Sequence, residues 1–177
     1  GLALRLIEAP NAAWTLMQAV RSHQWHQPAE DAMIALAFVG DDTAVEFLVE
    51  RALDPEARTR DINCVAALAL AYIGTPAALA ACAEVWMRSD DGEVQGRALR
   101  GFEWAIGYEH EGSLYRPATL PEWARTLSVA EGCRISLPIV ERLQPRATKL
   151  GKERSVTWLI ERIRDVRAQA AGTAAGG

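Results

Sequence analysis

Glu109, His110 and Glu111 form the most ligand-like cluster in the chain, an imidazole between two carboxylates, which are donor types a divalent metal accepts. His23 and His26 are three residues apart, a spacing that can place two imidazoles on one helix face. Each also has a plain reading, as a polar loop and as a frayed helix end. Covalent catalysis needs a nucleophile, a base and an orienting group brought together. Serines, cysteines, histidines and aspartates are present, but no GxSxG or glycine-rich phosphate loop organises them. Cys64 and Cys82 sit in apolar runs and read as small core residues. With Cys133 they make 3 cysteines without CxxC spacing, which argues against a disulfide framework or a zinc site and suits a reducing compartment. No catalytic residue, metal or cofactor is therefore assigned.

Composition bounds the elements that would carry any such group. Of 177 residues, 50% are hydrophobic and 24% charged, a soluble globular balance. Alanine dominates the apolar set, favours helix and lets helices approach closely. No uncharged apolar run reaches the roughly 18 residues a membrane span requires, so no membrane partner is expected and the chain reads as cytoplasmic. The first residue is glycine rather than methionine, as expected of a processed or excised piece. Net charge is −4 but unevenly spread: Arg142 to Arg167 carries +5 and the remainder −9. An acidic body disfavours nucleic acid as a partner.

Internal repetition is the most informative feature. Gly40 and Gly74 align at a shift of 34, Ala35, Leu36 and Ala37 fall on Ala69, Leu70 and Ala71, and Phe38 and Val39 fall on Tyr72 and Ile73. Gly107 follows after another 33 residues. Each glycine sits where a helix end needs a left-handed residue. A new helix start follows: Thr43 with Glu46 as a capping box, then Thr75 with Pro76 at the first helical position. Val45, Leu48, Val49 and Ala52 make an i, i+3, i+4, i+7 stripe, and Leu79, Cys82, Ala83 and Trp86 make the next. The repeated unit is predicted to be a helical hairpin.

The run Gly40-Asp41, Ala44-Val45, Leu48, Asp54-Pro55, Arg60, Ala66-Ala67, Leu68, Ile73-Gly74 resembles HEAT repeats of the phycobilisome-lyase type, and residues 90–107 repeat its second half. Arg60 matches the structural arginine of that family; Gln95 stands where the next would fall. The resemblance implies an all-α fold, a short α-solenoid of HEAT-like hairpins with a less regular helical cap at its C-terminal end. Residues 1–28 are expected to be N-terminal helices of a degenerate repeat, 29–107 the repeats, and 108–150 an irregular loop with short helices, one preceded by Ser136. An amphipathic last helix is predicted over 151–170, with Val156, Leu159, Ile160, Ile163 and Val166 inward, and a flexible tail over 171–177.

HEAT arrays line their concave face with second helices, which implies a protein or peptide docking surface and a scaffold or adaptor function. Glu46, Glu50, Glu84, Arg88, Trp86 and Tyr108 are the candidate surface residues. The rival expectation is an enzyme or lyase-like accessory, metal-dependent or similar to HEAT-like DNA glycosylases, using the cluster near His110. HEAT-repeat deoxyhypusine hydroxylases use His–Glu pairs as di-iron ligands, and 3 histidines cannot supply that set.

Overall fold

A computed structural model describes residues 11–22, 26–39, 42–56, 60–107, 123 and 126–175. Among them the architecture is all-α, with no strand. In chain order the elements are α1 (Ala12–Ser22), α2 (His26–Val39), a 3₁₀ turn (Asp42–Ala44), α3 (Val45–Ala52), α4 (Arg60–Ile73), α5 (Pro76–Arg88), α6 (Gly92–Ala105), α7 (Val129–Lys149) and α8 (Glu153–Ala175). Two compact units divide the chain, Gly1–Gly101 and Phe102–Gly177. The division falls inside α6.

In the first unit α1 packs on α2, α2 on α4, α3 on both α4 and α5, and α4 on α5. Small side chains permit this. Ala66, Ala67, Ala71, Ala78 and Cys82 are all fully buried, and such small side chains let α4 and α5 pack closely. α5 is buried at eight of its positions, from Ala78 to Met87. A wide apolar face of this kind belongs against a core, and Ala80, Glu84 and Arg88 keep a narrow face to solvent. The predicted second-helix stripes do face inward: Leu48 and Ala52 of α3 are buried, as are Leu79, Cys82, Ala83 and Trp86 of α5. α6 comes down on the same pair, since a methyl at Gly101 would meet Leu79 Cδ2 at 2.9 Å and the Ala71 Cα at 3.4 Å.

The predicted stop-and-start chemistry holds at the second hairpin. Gly74 has φ +65° and its N–H donates to the Leu70 carbonyl. Thr75 then caps α5, its hydroxyl accepting from Ala78 N–H at 3.1 Å, with Pro76 at the first helical position. Gly107 ends α6 with φ +68°. Gly40 lies outside the described residues. α3 is entered through the 3₁₀ turn, and Ala44 occupies its N-cap position without a side-chain cap.

The second unit contains α7 and α8, packed against each other. Here the structure differs from the short helices expected over 108–150. α7 is one helix of 21 residues, with Pro138 and Pro145 inside it. Ser136 does not start a helix; it is fully buried within one. The real cap is Ser128, which accepts from Glu131 N–H at 3.3 Å. Gly151, at φ +68°, closes α7: Gly151 N–H reaches the Thr148 carbonyl and Lys152 N–H the Ala147 carbonyl, a Schellman turn. α8 turns Val156, Leu159, Ile160 and Ile163 inward as predicted, and it continues to Ala175 through part of the expected tail.

Candidate functional site

Helices α3 and α5 lie side by side and carry most of the polar residues singled out above. Glu46 and Glu50 are exposed one turn apart on α3. Glu84 and Arg88 are exposed on α5 and pair with each other at 2.5 Å. Trp86 is 4% exposed, so it belongs to the core and cannot contribute to a docking surface. Its i+7 relation to Leu79 puts it on the buried stripe. Tyr108, Glu109, His110 and Glu111 lie outside the described residues, as does His23.

The ends of the second helices are held by side-chain amides from the helices that follow. Asn63 on α4 donates its Nδ2 hydrogens to the carbonyls of Arg51 at 2.9 Å, Asp54 at 3.0 Å and Ala52 at 3.3 Å. A helix leaves its last carbonyls without intrahelical donors, so this bond set closes α3. Gln95 on α6 does the same one unit later, with Nε2 on the Ser89 carbonyl at 2.5 Å. Neither amide stands out in the sequence, because each reads as an ordinary polar residue in the first turn of a helix. Asp91 caps α6 through Glu93 and Val94 N–H.

Phe47 is held between two cations, with Arg21 5.1 Å and Arg51 5.9 Å from its ring. Arg51 also pairs with Asp54 at 3.1 Å. This ties α1, α3 and the linker after α3 together and leaves Glu46 and Glu50 to face solvent.

The titratable groups offer no activated nucleophile among the described residues. Burial pushes the Cys82 thiol up to about 12, and burial also raises Cys133 against the pull of Arg167. The hydrogen bond from Arg134 holds the Glu131 carboxyl below its ordinary value. No group of three or more His, Cys, Asp or Glu side chains among the described residues could hold a metal ion. No helix among them is long and apolar enough to cross a membrane.

No family model, characterised protein or solved structure matches the chain.

Proposed function

We propose that the chain is a short α-solenoid of HEAT-like hairpins that serves as a docking scaffold for a protein or peptide partner. One observation carries the reading. Phe38 and Tyr72 occupy equivalent positions in successive repeats, and their rings meet at 5.7 Å. When hairpins stack by translation, each residue lies beside its own counterpart in the next unit. The turns agree with this: the Thr75 hydroxyl donates to the Asp42 carboxylate at 2.5 Å across 33 residues. The pairings of α2 with α4 and α3 with α5 are likewise first helix on first and second on second.

Such a stack offers a rigid surface that needs little reordering on binding. Its second helices expose Glu46, Glu50, Glu84 and Arg88 while Trp86 stays inside, so the proposed contact is polar and charge-led. It suits a partner with basic side chains. The test is affinity capture with the intact chain beside the variant E46K/E50K/E84K, each checked for native helicity by circular dichroism. The expected outcome is a partner held by the native chain and lost with the variant. Identical captures by both folded proteins would remove the proposed surface.

A further inference from the structure

We infer that the basic face of α7 is a second docking surface, and that its occupant is the acidic α3 face of another copy of this chain. The inference rests on the scaffold reading above and gives that surface a partner.

Arg142, Arg146 and Lys149 stand at i, i+4 and i+7 on α7, which places them in one stripe along a single helix face. All three are exposed. Arg142 donates through Nε to the Pro138 carbonyl at 3.0 Å, a bond that fixes the side chain without neutralising it. The neighbouring carboxylate, Glu141, is engaged by Arg164 at 2.8 Å. Among the described residues no carboxylate pairs with Arg142, Arg146 or Lys149. Leu150 follows them at the helix end, 48% exposed. The stripe is thus three like charges at one-turn intervals, beside an exposed apolar residue. Elsewhere Arg88 has Glu84 at hand and Arg97 has Glu93.

The opposite arrangement exists on α3. Glu46 and Glu50 are i, i+4, both exposed, and meet no cation among the described residues. Like charges at that spacing weaken a helix slightly, so an external cation stripe of the same spacing would relieve both partners. The charge division of the whole chain points the same way. Residues 142–167 carry +5 and the rest −9. That −9 repels a phosphate polymer brought to α7, which argues against nucleic acid. The same acidic surface is what a second copy presents. Each molecule then offers one surface of each sign, so α7 of one copy can meet α3 of another.

The test uses the intact chain and sedimentation velocity over a concentration series. Two surface pairs bind weakly and are screened by salt. Self-association is therefore expected at about 0.01 M salt and should weaken about tenfold or more by about 0.15 M. R142E/R146E/K149E and E46K/E50K, each confirmed as folded by circular dichroism, should each be monomeric alone. Mixed together they should associate again, because the reversed stripe of one matches the reversed face of the other. A native chain that stays monomeric at low salt overturns the inference, as does a folded mixture that does not associate. Retardation of a short DNA duplex by a monomeric native chain, lost in R142E/R146E/K149E, would overturn it in favour of nucleic acid. If the native chain is monomeric but the E46K/E50K/E84K variant still loses a captured partner, this inference fails and the scaffold reading stands.

Discussion

Replacing Gly132 with alanine places a methyl group on the carbonyl oxygen of Ala105. Gly132 lies in the first turn of α7 and is buried. An ideal Cβ there would sit 2.5 Å from the Ala105 carbonyl carbon and 3.3 Å from its Cα, and closer still to the oxygen. Ordinary contact to a carbonyl carbon starts near 3.4 Å. The obstacle is backbone, so no side chain can swing aside, and one helix end must move by about an ångström or more. Two effects compete. Alanine improves intrinsic helix preference by about 1 kcal/mol. Overpacking against a rigid neighbour costs about 1–3 kcal/mol, with a backbone obstacle at the upper end. The expected net loss is about 2 kcal/mol, a drop in Tm of about 4–8 °C for a chain of this size. Gly96→Ala is the matched control. Gly96 is exposed within α6, and nothing lies within 4 Å of the point its new methyl would occupy, so stability should rise by about 0.5–1 kcal/mol. Urea unfolding of the three proteins, followed by far-UV circular dichroism, measures both. A Gly132→Ala chain as stable as Gly96→Ala would refute the close approach of Ala105 and Gly132.

Asn63→Ala should cost about 1–3 kcal/mol, read from the same urea midpoints, because three carbonyls at the end of α3 lose their donor. Thr75→Ala should cost about 1 kcal/mol through the lost cap of α5. All three cysteines are buried, with Cys82 held up to about 12, so a thiol reagent at pH 8 should react slowly with the native chain and fully in urea. Glu131 has a lowered pKa in the fold, so its pairing with Arg134 stabilises above the ordinary carboxylate pKa and is lost as pH falls through the lowered value. Glu131→Gln should therefore flatten the acid limb of a stability–pH curve below about pH 5.

Punctuation is the most legible part of the sequence. Glycines at 74 and 107 and the Thr75-Pro76 pair each impose a backbone conformation by themselves, so local chemistry decides the outcome. The stripe of α8 is equally clear because its apolar residues have one partner face. α7 is hard to read because its two prolines suggest interruption. A proline removes one N–H but leaves the helix able to continue when packing holds it, and α8 packs along α7. The cap that starts it, Ser128 with Glu131, is a plain S-x-x-E spacing, but Ser136 stands before the more apolar run and draws the helix start to itself. The surface is least legible. Trp86 obeys the inward period, yet aromatic size suggests binding, and burial decides otherwise. Asn63 and Gln95 act on carbonyls distant in sequence, which no local pattern announces.

The methyl-lined interface between α4 and α5 has a mechanical consequence. Alanine has no rotamers, so Ala66, Ala67, Ala71 and Ala78 cannot absorb a disturbance by swivelling, and that task falls to Leu70, Leu79 and Met87 on the same helices. Leucine-rich interiors adapt by local rearrangement. Here the alanine positions of α4 and α5 pass a push on as displacement of backbone, so a disturbance there should move the helices sooner than rearrange those side chains.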